Sequence, residues 1–297
     1  MKRREFISLL GGAVAWVSPA RAQEPRKVIG FLGSSSSDTY TGRLAVFLQG
    51  LKDTGFIEGK NISIEWRWAE GQYNRLSSLA GELVARNVSV ICAFDVPSAF
   101  AAKAATKTIP IVFGIGADPV KLGLVDSLNQ PRGNLTGVST LLSALGPKQL
   151  ELLHEILPSA GKIVLLVNAD NPNAQADAPE IQAAADAVGQ RLEVLTASTD
   201  SDLEAAFTTM VERGAGALVV KPDPFFIDRR ERLVALAARH GLPAIYSLRV
   251  FAEVGGLVSY GITIADMNHQ LGTYAGKILK APSRPTSPYN WASSSSW

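Results

Sequence analysis

Two doubly wound parallel-sheet lobes of the α/β class, joined by a hinge, are predicted by three features of this 297-residue chain. Short apolar runs alternate with stretches of helical periodicity, the pattern of a parallel sheet with crossover helices. The plan of the first half recurs in the second. Two Gly-rich segments stand where the chain would cross between the halves.

The first apolar run, "KVIGFLGSSSSD" (27–38), closes in Gly and serines, as a buried parallel strand does at its carboxyl end. Leu44, Phe47, Leu48 and Leu51 then share one helical face. In "NISIEWRWA" (61–69), Ile62, Ile64, Trp66 and Trp68 alternate with polar residues, which predicts a strand with the tryptophans on a sheet face. A helix over 74–87, the strand "VSVICAF" (88–94), a helix over 98–106 and the strand "IPIVFGI" (109–115) complete the half. In the second half "KIVLLVNADNPN" (162–173), "AGALVVKPDPFF" (215–226) and "LPAIYS" (242–247) echo its first, third and fourth strands. The segments 132–146 and 254–263 are the expected crossings. Lobe I is therefore expected over 23–137 and lobe II over 138–258, with 259–280 as a strand and helix returning toward lobe I.

Residues 1–22 have a basic start, an apolar stretch from Phe6 to Val17 too short to span a bilayer, and small residues at Ala20 and Ala22. A secretory signal cleaved after Ala22 is expected, and Arg3-Arg4 with Phe6 and Ile7 resembles a twin-arginine signal. Gln23 rather than Cys follows the cleavage point, so no lipid anchor is expected. Losing Lys2, Arg3, Arg4, Arg21 and Glu5 takes the net charge from +2 to −1. No basic field for nucleic acid or anionic lipid remains. Cys92 is the only cysteine, which excludes an intramolecular disulfide; in its apolar run a buried, inert thiol is expected.

No sequence marks a catalytic centre. His154, His240 and His269 lie far apart without metal-ligand spacing, and there is no G-x-S-x-G elbow, phosphate-binding Lys-Ser/Thr loop or dinucleotide glycine motif. No cofactor, no metal and no enzymatic activity are expected. The strand ends instead carry groups suited to a small polar solute, and in paired open sheets such a solute sits beyond the carboxyl ends of the strands, between the lobes. In lobe I these are Ser35, Ser36 and Tyr40 after the first strand, and Asp95, Val96, Pro97 and Ser98 after the third. Asp95 can pair with an ammonium or cap the helix that Pro97 starts; in "GADPV", which opens on Gly116, Asp118 before a Pro-initiated helix carries the same two readings, with Ser139 on the crossing segment. Lobe II offers Asn168, Asn171, Asn173 and Asp223, with Tyr246 and Tyr260 as flat surfaces for stacking.

Four long segments, "GLKDTGFIEGKNISIEWRWAEG" (50–71), 105–140, "KQLELLHEILP" (148–158) and "GGLVSYGIT" with "YAGKILK" (255–280), resemble the ABC transporter substrate-binding proteins that include the tryptophan- and tyrosine-type binding proteins. The resemblance implies a periplasmic-binding-protein-like clamp, working as a monomer. It would capture a small-molecule solute, amino-acid-like and in some relatives aromatic, and deliver it to an inner-membrane ABC permease and its ATPase. A ligand-presenting receptor for a membrane sensor and a periplasmic α/β enzyme are the rival readings. Members of that family continue beyond Lys280 with a peptide such as Gly-Ala-Lys-Pro-Ala-Asp-Leu-Pro-Val, whereas this chain reads "APSRPTSPYNWASSSSW". One base restored after the Lys280 codon permits the family-like peptide, so 281–297 is expected to be an out-of-frame, disordered tail. Sequencing the gene tests this: a downstream frame encoding no family-like peptide rules it out.

Overall fold

The computed structural model describes residues 26–281, apart from 130 and 132. The signal expected at 1–22 lies outside the described residues, as does all of the expected tail except Ala281.

Lobe I is built on β1 (Lys27–Gly33), β2 (Ile62–Trp68), β3 (Val90–Ala93), β4 (Ile111–Ile115) and β5 (Leu135–Ser139), all parallel, in the order β2-β1-β3-β4-β5. The central strands β1, β3 and β4 bury both faces, and the period of two sorts their residues onto two cores. Ile29, Phe31, Val90, Cys92 and Val112 face α1 (Ser37–Asp53) and a helix over Ala265–Lys280. Leu32, Ile91, Ala93, Ile111 and Phe113 face α2 (Leu76–Ala85) and α3 (Val96–Ala105). Cys92 is fully buried, and desolvation pushes its thiol far up. Trp66 and Trp68 pack their rings against Phe31, 4.9 and 4.5 Å between centroids.

Lobe II repeats the design. After α4 (Gly146–Ile156) come β6 (Lys162–Val167), α5 (Asn173–Ala187), β7 (Arg191–Thr196), α6 (Asp200–Glu212), β8 (Ala217–Val220), α7 (Pro224–Asp228), α8 (Arg230–Arg239), β9 (Ala244–Tyr246), α9 (Arg249–Glu253) and β10 (Val258–Ser259). Its sheet order, β10-β9-β8-β6-β7, is the lobe I order read from the other edge. Val164, Leu166, Leu218 and Val220 point to one core, and Ile163, Leu165, Val219 and Ile245 to the other.

The chain passes to lobe II after Ser139, because Val138 and Ser139 still pair with Gly114 and Ile115 of β4. The boundary expected at 137/138 thus falls inside β5. At the crossing Leu141 holds φ 50°, the left-handed region that side chains disfavour. After β10 the chain returns, and α10 (Ala265–Lys280) packs on α1, burying Leu271, Ala275 and Leu279 in lobe I. That helix pair approaches backbone to backbone: a Cβ on Gly50 would stand 2.1 Å from the carbonyl oxygen of His269, and one on Gly272 2.1 Å from that of Phe47.

Candidate functional site

The carboxyl ends of both sheets meet around a cavity of about 80 Å3. Lobe I contributes the segments after β1, β3 and β4, and lobe II those after β6, β8 and β9. Of the residues expected from the sequence, Tyr40, Asp95, Val96, Gly116, Asn171, Asn173 and Asp223 line it. Phe94, Leu142, Ile227, Leu248, Ile264 and Met267 supply an apolar wall that the sequence did not indicate.

Asp95 is the hub of lobe I. One carboxylate oxygen accepts from Ser34 Oγ (2.5 Å) and Ser98 N (2.9 Å), the other from Ser34 N (2.9 Å) and Tyr40 OH (2.7 Å). Ser98 returns a bond by accepting from Asp95 N, which completes a capping box at the start of α3, beside Pro97. Of the two roles open to Asp95, the structure shows the cap, with about four lone-pair sites matched by four donors. The buried Tyr40 phenol is held well above its ordinary pKa by desolvation and by that carboxylate.

Asp223 plays the same part in lobe II and caps α7 through Phe225 N (2.9 Å). Asn168 (3.0 Å) and Asn171 (2.7 Å) donate their amides to it, and Tyr73 OH lies 3.0 Å from both of its oxygens. Burial raises the carboxyl above its usual range, against the pull of these donors. Tyr73 belongs to lobe I, in a single 3-10 turn at Tyr73–Arg75, and also accepts from Phe225 N (3.1 Å). It is one of several links that hold the lobes together. Ser35 Oγ donates to the Pro224 carbonyl (3.1 Å), Ser36 N and Thr39 Oγ1 donate to Asp228, and Lys121 pairs with Glu180. These bonds join the two lobes across the cleft.

The remaining expected residues lie off the cavity, for local reasons. Asp118 accepts from Val120 N (2.8 Å) and Lys121 N (3.2 Å), and the expected helix is only one turn, ended by Gly123 at φ 67°. Ser139 Oγ donates to the Ala117 carbonyl (2.6 Å) and ties the ends of β4 and β5 together. Tyr246 points into the lobe II core and stacks on Phe251 at 4.7 Å, since a β9 side chain on that face meets helices rather than the cleft. Tyr260 continues the β10 ladder through its backbone and turns its ring to solvent. Pro97, Ser98 and Asn168 stand behind the cavity wall as supports.

Arg43, one helical turn beyond Tyr40 on α1, was missed. Its guanidinium lies over the Tyr40 ring, 5.3 Å from the centroid, and faces the cavity. The sequence signal was the spacing Tyr40-x-x-Arg43, which puts both on one helix face. Among the described residues no group of three or more His, Cys, Asp or Glu can hold a metal ion, and no helix is long and apolar enough to cross a membrane.

The model of the family described as "ABC transporter substrate binding protein" matches residues 31–296. The chain belongs to that family. A "Tyrosine-binding protein" of Clostridioides difficile (strain R20291) is 30% identical to this substrate-binding protein over 237 residues, 80% of this chain and 68% of the relative. A conserved domain protein of Vibrio cholerae superposes with a TM-score of 0.80 at 27% identity, over 87% of this chain and 86% of that one. A Streptococcus pneumonia domain solved with L-Trp gives 0.78 at 24% identity, over the same shares, a likeness of fold.

Proposed function

We propose that this substrate-binding protein is the solute-capturing part of an ABC importer, exported to the periplasm and acting as a monomer. It takes a small organic solute, amino-acid-like in size, between its lobes and delivers it to an inner-membrane permease with its ATPase. The observation that carries the reading is the cavity itself, polar at the strand ends and apolar across them, with walls from both lobes. A ligand that touches both walls favours the closed clamp by its differential affinity for that state. The relatives described as a tyrosine-binding protein and as an L-Trp complex support a solute of that size.

A thermal-shift screen of amino acids, aromatic acids and small amides tests this. A true solute at about 100 times its Kd should stabilise the protein by about 2.7 kcal/mol and be recovered unchanged. Turnover of the stabilising compound would favour an enzyme instead, and stabilisation by no compound would count against the reading. Tyr73→Phe should weaken binding about tenfold while leaving each lobe folded, because it removes a cross-lobe bond to a carboxylate worth about 1.5 kcal/mol. Calorimetric titration of the variant checks this; unchanged affinity would mean that Tyr73 has no part in closure.

A further inference from the structure

Arg43, Ile227, Leu248 and Ile264 line both the cavity between the lobes and a second chamber of about 690 Å3, so these four residues form the wall that an inner and an outer space share. Arg43 is the charged member of that wall. Its guanidinium makes no hydrogen bond and no ion pair with any described residue; burial pulls its pKa down, against Asp95 and Asp228, which favour its charge from beyond ion-pair distance. A guanidinium presents five donors in a planar fork that matches a carboxylate.

The acidic groups of the cavity are in the opposite condition. Asp95 is matched by four donors, and Asp223 by Asn168, Asn171, Phe225 N and the shared Tyr73 hydroxyl, so neither has a lone pair left for an incoming ammonium. Two buried amides add to the asymmetry. Asn173 Oδ1 in the inner chamber has no hydrogen-bond partner, and neither does either end of the Asn268 amide in the outer one, although these residues are only 6% and 1% exposed. Buried polar atoms are normally bonded, so unpartnered ones that line a cavity mark where a ligand's polar atoms belong. Facing them, Phe94, Leu142 and Met267 leave an apolar space smaller than the roughly 150 Å3 that accommodates benzene.

On the reading of the cleft as a solute site, we propose that Arg43 takes the carboxylate of the solute. The site then selects monocarboxylic acids with a short apolar body, for which an α-amino group is dispensable. The inner chamber holds the body, Arg43 in the shared wall holds the carboxylate, and the Asn268 amide is placed in the outer chamber for a further polar contact.

Matched triples test this by calorimetry on the purified chain: 3-methylbutanoate, valine and 2-methylpropylamine, then 4-methylpentanoate, leucine and 3-methylbutylamine. In at least one triple the acid lacking the amino group should bind as tightly as the amino acid or more tightly, and neither amine should bind. Arg43→Gln should weaken the acid by about 30-fold or more, the loss typical of a buried charge pair with one partner removed, and Arg43→Lys by less. Because the contact of the Arg43 guanidinium in the fold is the Tyr40 ring, worth about 1 kcal/mol, the unliganded Arg43→Gln variant should stay folded with a melting temperature lowered by no more than about 4 °C. An amino acid more than about tenfold tighter than its acid, a bound amine, or an Arg43→Gln variant that binds the acid like wild type would each overturn the assignment. Wild-type protein that binds none of these compounds also overturns the class, while stabilisation by another solute in the screen above would leave the clamp itself standing.

Discussion

Asp95→Ala should cost about 4 kcal/mol of stability, read as a lowered urea midpoint with an unchanged slope. The carboxylate binds the start of α1, through Ser34 and Tyr40, to the start of α3, through Ser98 N, and it is only 7% exposed. Its removal leaves the backbone N–H groups of Ser34 and Ser98 without acceptors, at about 1–3 kcal/mol each, and the cap of α3 is lost within the same change. Asp95→Asn should recover part of the loss, because one oxygen still accepts while the new amide meets donors. A loss below about 1 kcal/mol, with solute affinity abolished, would make Asp95 a ligand contact rather than the anchor of lobe I.

Gly272→Leu should destabilise lobe I by about 3 kcal/mol, the upper range for overpacking. A Cβ at Gly272 would lie 2.1 Å from the Phe47 carbonyl oxygen and 2.9 Å from Leu51 N, and backbone cannot rotate away as a side chain does. The helices α1 and α10 must part, which uncovers Leu271, Ala275 and Leu279 and shifts Ile264 and Met267 at the cavity wall. Gly42, also on α1, supplies the control: nothing lies within 4 Å of its Cβ position. Gly42→Ala should therefore stabilise by about 0.5–1 kcal/mol, through helix propensity and reduced unfolded-state entropy. Equal effects at the two glycines, measured by urea unfolding, would contradict the close helix contact.

The sheets were legible in the sequence because the central strands are buried on both faces and read as apolar runs of strand length, as "KVIGFLG" and "KIVLLV" do. The duplicated order followed from the matching ends of those runs. The site was legible where a local signal marks a strand end: "FDVPS" and "KPDPFF" each announce an Asp before a helix. What such a motif cannot show is how many donors converge on the carboxylate from elsewhere. Ser34 and Tyr40 reach Asp95 from 61 and 55 residues away, and Tyr73 reaches Asp223 from 150. Arg43 was illegible for a related reason. A charged residue on an amphipathic surface helix reads as solvated until a second lobe closes over it, and the lobe II residues Ile227 and Leu248 that do so belong to the other half of the chain. Tyr246 misled in the other direction, since a strand-end aromatic can face cleft or core and only the register of β9 decides.

The central claim, a solute held between the lobes and touching both, is tested most directly by hydrogen–deuterium exchange with and without saturating 3-methylbutanoate or whichever acid binds most tightly. The segments 94–98 of lobe I and 222–227 of lobe II, which carry Asp95 and Asp223 to the cavity, should slow together. Protection confined to one lobe, or found elsewhere on the surface while both segments exchange as before, would contradict the claim.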